Sequence, residues 1–414
     1  MPITAETTAL AVSTVPMAPA DRPEHLLDLL PEAGALAWVQ DGSGLVGWGE
    51  AARLELTGAG SFAEARTWWD ALVARTTVLD QVGVPGTGLL AFGSFAFDPS
   101  RGRSVVVVPA VVVGRRGDTW WRTEIGAGVP DPVRTPPRVP SPVVFTDGEV
   151  TGAQWMTAVG EAVERIVAGD LEKVVLARAL EAHADEPVDV RHPLRRLARD
   201  YPDCWAFSVD RLIGATPEML VRLDDGVATS RVLAGTLRRS GDATQDARRR
   251  SSFGRSVKDV EEHGYGVRSV VDALRLHCAD VEVPEAPFVL ELRNVMHLAS
   301  DVRGVVTDGA TSLDLLSSLH PSAAVCGSPT DVALEVIREI EGLDRGRYAG
   351  PVGWFDAAGD GEWGIALRCA EVDASDPRRL RLYAGCGLVA GSQPLQELAE
   401  SDAKLVPMRE ALRP

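Results

Sequence analysis

Residues 352–372 read VGWFDAAGDGEWGIALRCAEV, and the fold class follows from how that run divides. Two apolar, aromatic-bearing stretches, VGWFD and EWGIALRCAEV, flank AAGDG, whose glycines and aspartate are turn residues, so the run is a β-hairpin. A hairpin implies antiparallel pairing. KVVLARAL at 173–180, CWAFSV at 204–209, MLVRL at 219–223 beyond a turn at GATPE, and RLRLYAGCGLV at 379–389 read as further strands. SVVVVPAVVV at 104–113 reads as two buried strands around a bend at Pro109. Helical patterns stand apart from these, in SFAEARTWWDALVART at 61–76 and WMTAVGEAVERIVAGD at 155–170. The second places Met156, Val159, Val163 and Ile166 at helical spacing and stops at Gly169. A last helix starts at Pro394, a residue suited to a first turn. Strands in hairpins with separated helices predict an α+β fold with an antiparallel core.

Residues 127–142, AGVPDPVRTPPRVPSP, hold six prolines and cannot lie inside a sheet or helix. This connector closes an N-terminal part, residues 1–150, ahead of the more informative residues 151–414.

At 414 residues, 45% hydrophobic and 24% charged, the composition is that of a soluble globular protein with a sizeable core. A formal charge of -17 excludes nucleic acid and an anionic membrane as partners, since both require a concentrated basic face. An anionic small substrate needs a metal ion or a few placed arginines to reverse the local sign. Five cysteines with no C-x-x-C pair point to a reducing cytoplasm rather than a disulfide or zinc framework. The first twenty residues contain Glu6 and no early basic residue, which is wrong for a secretory signal, and no apolar run is long enough to span a bilayer.

Several residues carry candidate chemistry. KDVEEH at 258–263 puts Asp259 and Glu262 on one helix face, and Glu397 and Glu400 repeat the spacing in the last helix. Two such helices facing each other can hold a hard divalent cation, with water completing the shell as magnesium prefers; a solvated helix face explains a charge run equally well. Lys173 opens an apolar strand, either as a solvated edge charge or, if buried near a cation, as a base. Glu218 in GATPEML is a turn carboxylate or, if shielded from water, a proton donor. Arg368, inside the strand IALR, requires a carboxylate partner. Glycines in AGCG at 384–387 allow close backbone approach or mark a bulge. His263, His297 and His320 are too scattered to suggest zinc, and His297 in NVMHL reads as a core histidine or a ligand contact.

Together KVVLAR, GATPEML, LAGT at 233–236, KDVEEH, NVMHL, LHPSAAVCGSP at 319–329, RYAGPVGW, GDGEW, IALR, AGCGLVAGS and ELAESDAKL resemble the chorismate-utilising enzymes. That family includes isochorismate synthases, salicylate synthases and the synthase subunits for anthranilate and aminodeoxychorismate. The likeness runs from about residue 150 to 412; before the connector it rests chiefly on FGSFAFDP at 92–99. The resemblance implies a single large domain of two packed antiparallel sheets with helices outside. It implies magnesium bound by Glu262 and Glu400, with Asp259 and Glu397 supporting it through water, Lys173 as general base and Glu218 as general acid. Tyr348 and Arg368 correspond to residues that hold substrate carboxylate, helped by backbone near Gly214 and Gly387, and His297 joins them as a substrate contact. Ala324, where ammonia-using members carry threonine, resembles the water-using isochorismate synthases, whose product serves menaquinone or catechol siderophores. Chorismate is then the substrate, no glutaminase subunit is expected, and the chain is expected to act as a monomer. A salicylate synthase, an ammonia-using anthranilate or aminodeoxychorismate synthase component and a non-catalytic acidic scaffold are the competing readings; the scaffold leaves Lys173, Glu218 and Arg368 unexplained.

Overall fold

The structure, a computed structural model, describes residues 9–254 and 256–414; Glu6 lies outside them. The hairpin forms as its sequence predicts. Pro351–Asp356 pairs antiparallel with Gly361–Ile365, setting Gly353 opposite Trp363. Asp356 closes the turn by accepting from the amides of Ala358 at 2.9 Å and Asp360 at 3.2 Å. The flanks of the hairpin are paired in turn, with Leu90–Ser94 on one side and Met219–Asp224 on the other. It therefore sits in mid-sheet, which explains why both its strands are apolar on both faces.

Among the described residues the strands make two sheets, one of thirteen strands and one of ten. Pairing is antiparallel throughout except where Ala11–Pro16 runs parallel to Thr77–Asp80. Helices α1 (Ser61–Val73), α2 (Gly152–Ala168), α3 (Arg191–Asp200), α4 (Ala243–Phe253), α5 (Val257–Leu274), α6 (Ser312–Leu319), α7 (Thr330–Ile340) and α8 (Pro394–Ala411) accompany them. None is long and apolar enough to cross a membrane. α2 begins in a capping box formed by Thr151 and Gln154 and ends at Gly169 in the left-handed region. One hydrophobic core unites residues from before and after the connector, among them Phe92, Trp121, Trp155, Phe207 and Trp363. The connector has no regular structure and is pinned by a buried ion pair. Arg191 donates to Thr135 O at 3.1 Å while Asp189 accepts from the Arg138 amide at 2.9 Å.

The chain changes sheets through corners of two or three residues after Trp48, Val108, Thr216 and Ile365. Such corners let two sheets share one core. The second contains Pro109, as the sequence predicts. The third corrects the expected GATPE turn: Gly214–Thr216 belong to the strand Leu212–Thr216, and only Pro217 and Glu218 form the corner. Proline has no N–H to give the ladder, so the strand stops there. The fourth corrects the expected strand at IALR, because pairing ends at Ile365 and Arg368 occupies the corner with φ of +49°. Both Glu218 and Arg368 are thus at sheet corners, where side chains escape the alternation of a strand.

Gly353 shows how tight the hairpin is. A methyl group there would run into the carbonyl of Glu362 and approach Trp363 Cα at 3.0 Å, both backbone of the partner strand. Gly353→Ala is expected to destabilise the fold by about 1–3 kcal/mol through overpacking, read as a lower denaturation midpoint; an unchanged midpoint would show that the strands can part freely.

Candidate active site

The strand Lys173–Ala184 pairs with Arg379–Leu388, setting Val174 opposite Leu388 and Val175 opposite Gly387. This pairing joins the start of one motif to the end of another. Lys173 is fully buried, its Nζ makes no hydrogen bond among the described residues, and Glu262 Oε1 on α5 is 3.6 Å away. Gly387 makes that approach possible, since a Cβ there would strike Glu262 Oε1 and lie 3.1 Å from Lys173 Cε. Ser256 caps α5 by accepting from the Asp259 amide at 3.3 Å, and the Asp259 side chain abuts Gly235. Glu261 faces solvent.

Beside this pair is an enclosed cavity of about 60 Å³, lined by Glu218, Glu262, His297, Ala324, Arg345, Tyr348, Arg368, Gly387 and Lys404, among others. It is far smaller than the ~300–1,000 Å³ of ligand sites, so a ring-sized ligand enters only if its walls part. Larger hollows of about 640 and 610 Å³ lie elsewhere on the surface and contain none of these groups.

Glu218 is 5% exposed. Burial pushes its carboxyl up to about 7, against the opposing pull of the Leu233 amide and the charges of Arg368, Lys173 and Lys404. Burial also raises Glu262; Lys173 works against that rise, whereas Glu400 and Glu397 add to it. Arg368 differs from expectation in its partner. It makes no ion pair among the described residues and instead donates to His297 Nε2 at 3.0 Å. His297 Nδ1 in turn donates to Gly235 O at 3.0 Å, which fixes the tautomer, and burial beside Arg368 holds the imidazole neutral. The guanidinium charge is therefore uncancelled in the cavity wall, a fit for an anion. Tyr348 stacks on Tyr383 with ring centroids 5.0 Å apart.

The structure brings most of the sequence-derived residues together but not all into the lining. Lys173 stands behind Glu262 and Gly387. Gly214 lies under Arg368, where a Cβ would meet Cys369 Cβ at 2.6 Å and Arg368 O at 2.9 Å; it is a packing glycine rather than a wall of the cavity. On α8, Glu397 and Glu400 gather with Cys386, their ligand atoms within 4.8 Å of one another. The carboxylates that meet here, Glu262, Glu397 and Glu400, are hard oxygen donors, which suits magnesium, and their repulsion at Glu262 would be relieved by a dication. The Cys386 thiol donates to Glu397 O at 3.3 Å, and burial drives it well up, toward the neutral form.

Two groups escaped sequence reasoning. Lys404 lines the cavity and donates to Gly385 O at 2.9 Å and Glu400 Oε1 at 2.6 Å; its four-residue spacing from Glu400 was the available signal. Arg345 stacks over Phe97 and pairs with buried Glu341, a spacing lost among ordinary surface charges. Because Glu218 has a raised pKa in the fold, the stability its neutral form contributes is complete below about pH 4.5 and is lost as pH rises to about 7. Relative to Glu218→Gln, the parent should lose up to about 3 kcal/mol across that window. Denaturation of both proteins at pH 4.5 and 8 checks this, and a constant difference would mean an unperturbed carboxyl.

The comparisons with known proteins agree with this geometry. Residues 129–413 match the family model described as chorismate binding enzyme. The isochorismate synthase DhbC of Bacillus subtilis is 41% identical over 270 residues, covering 62% of this chain and 67% of its own. The salicylate biosynthesis isochorismate synthase of Pseudomonas aeruginosa is 33% identical over 413 residues, covering 91% of this chain and 84% of its own. The crystal structure of DhbC from Bacillus anthracis superposes with a TM-score of 0.77 at 32% identity, over 94% of this chain and 98% of that one. A two-sheet fold, a cavity walled by an unpaired arginine and a buried acid, and a family match across more than half its length have one common account: this chain is a member of the chorismate-binding enzyme family.

Proposed function

We propose that the chain is an isochorismate synthase, interconverting chorismate and isochorismate with magnesium. The observation that carries this reading is the placing of opposite proton-transfer groups at one cavity: a buried acid about half protonated near pH 7 and, behind Glu262 and Gly387, a buried lysine with no hydrogen-bond partner among the described residues. In the forward direction water adds to C2 of the ring, Lys173 in its neutral form takes the water proton, both conjugated ring double bonds shift (to C1=C6 and C4=C5), and the C4 hydroxyl leaves as water with the proton of Glu218. One water enters and one leaves, so the reaction is an isomerisation. Arg368, with Tyr348 and the backbone at Gly387, holds substrate carboxylate, and His297 keeps the Arg368 guanidinium aimed.

Glu262 and Glu400 are the residues we assign to magnesium, with Asp259 and Glu397 holding its water shell. Bound there, the cation supplies charge neutralisation for the ring carboxylate and draws electron density from the attacked ring. Lys173 lies 3.6 Å from Glu262 and Lys404 2.6 Å from Glu400, so each of these two glutamates has a lysine beside it. Ala324 favours water as nucleophile because it offers the cavity no hydroxyl to orient ammonia. The relatives' names, isochorismate synthases in both cases, support the same branch.

Incubating the purified chain with chorismate and magnesium should give isochorismate as the main product, resolved by chromatography, without ammonia or a second subunit. Salicylate with pyruvate as main product would move the chain to the salicylate branch, and an amino-aromatic product with ammonium to the aminating branch. Lys173→Ala and Glu218→Gln should each lower turnover roughly 10²- to 10⁴-fold, with Glu218→Gln still binding chorismate by calorimetry; loss of that binding would make Glu218 structural. Glu262→Gln and Glu400→Gln should each abolish magnesium binding and magnesium-dependent turnover, whereas solvent-facing Glu261→Gln should leave both nearly unchanged. The opposite ranking of Glu261 and Glu262 would overturn the metal assignment.

A further inference from the structure

Helix α8 carries Glu397, Glu400 and Lys404, yet it contains a proline, Pro407, in its interior. An interior proline has no N–H for the carbonyl four residues earlier, and its ring crowds that carbonyl. The carbonyl concerned belongs to Ala403, on the peptide that leads into Lys404. Ala403 is buried, where an unpaired backbone acceptor is costly. The missing donor comes from outside the helix: Asn294 Nδ2 donates to Ala403 O at 2.8 Å. Asn294 directly precedes the strand Val295–Val306, which bears His297, and its own backbone carbonyl is tied to the Arg239 amide at 3.0 Å. A second hold acts at the same level. Arg178, 4% exposed on the strand that opens with Lys173, donates to Ser401 Oγ at 3.1 Å and Asp402 Oδ1 at 2.7 Å.

We propose that Asn294 is a positioning residue: by supplying the hydrogen bond that Pro407 removes, it ties α8 to the His297 strand and so sets how Glu397, Glu400 and Lys404 meet the cavity. The inference rests on the reading of Glu400 and Glu397 as part of a magnesium site. A helix with an unbroken bond ladder would keep its own shape and could slide as a unit on its neighbours. Breaking the ladder at 403 and completing it from another element makes the direction of the helix depend on that element. The interruption falls between Glu400 and Lys404 on one side and the last turn on the other, so a change at Ala403 is felt at once by the Lys404 side chain.

The test uses Asn294→Ala, Pro407→Ala and the double variant in the full chain, with three readouts: magnesium binding by calorimetry, KM and kcat for chorismate, and hydrogen exchange across residues 399–411. Asn294→Ala should weaken magnesium binding about 10- to 100-fold, as loss of a residue supporting a metal ligand does, and should speed exchange in α8. Pro407→Ala restores a backbone N–H that can reach Ala403 O, so that variant should resemble the parent and the double variant should recover both binding and exchange. If Asn294→Ala does not fold while the double variant does, the same dependence on the 403 carbonyl is demonstrated. The proposal is overturned if Asn294→Ala matches the parent in exchange and magnesium binding, or if the double variant stays as impaired as the single one. A parent that binds no magnesium would instead remove the metal reading, and exchange alone would then decide the role of Asn294.

Discussion

A buried lysine and a buried glutamate, Lys173 and Glu262, stand 3.6 Å apart with no space for a methyl group at Gly387 beside them, and the rest of the architecture can be understood from what it takes to hold them there. Burying either polar group without a partner would be expensive in an apolar interior. Their coexistence requires that the strand Lys173–Ala184, the strand Arg379–Leu388 and helix α5 be fixed to within a fraction of an ångström. The long antiparallel ladder between the two strands, from Val174 opposite Leu388 to His183 opposite Arg379, supplies that rigidity along one edge.

The other edge of the Lys173 strand is completed less regularly. The short strand Gly327–Ser328 pairs only with Lys173 and Val174, and Val143–Asp147 begins pairing only at Leu180. Between them the backbone finds partners one by one: the Val175 amide donates to Cys326 O at 2.8 Å, Val175 O accepts from Arg345 at 2.7 Å, and the Ala177 amide donates to Glu341 at 2.7 Å. The buried Arg345–Glu341 pair therefore stands in for a missing strand. It also lines the cavity through Arg345, so the same side chains that complete the sheet contribute positive charge to the site. An acidic protein can attract an anion here because Arg368, which makes no ion pair among the described residues and donates to His297 at 3.0 Å, stands in the cavity wall.

The acid and base chemistry proposed for this site depends on separating environments rather than on unusual residues. Glu218 lies at the corner after Pro217, buried and without an ion pair among the described residues, and burial holds it near 7. Glu400 lies on α8 against Lys404 at 2.6 Å. Two glutamates of identical chemistry are thus directed to different tasks by where the chain turns and what stands beside them.

The local sequence by itself determined the hairpin at 352–372, the bend at Pro109, the stop of α2 at Gly169 and the shared helix face of Asp259 and Glu262, because each depends on turn chemistry or on a period of a few residues. Ordered motifs likewise carried the family likeness. What only the tertiary structure decided depends on partners far away in the chain: that Arg368 sits in a corner and donates to His297 rather than to a carboxylate, that Gly214 packs under the site instead of lining it, that Lys404 and Arg345 belong to the cavity wall, and that Asn294 completes α8 across 109 residues. A side chain at a sheet corner follows no alternation, and a hydrogen bond between distant segments leaves no spacing in the sequence, so neither could be read before the two sheets had packed.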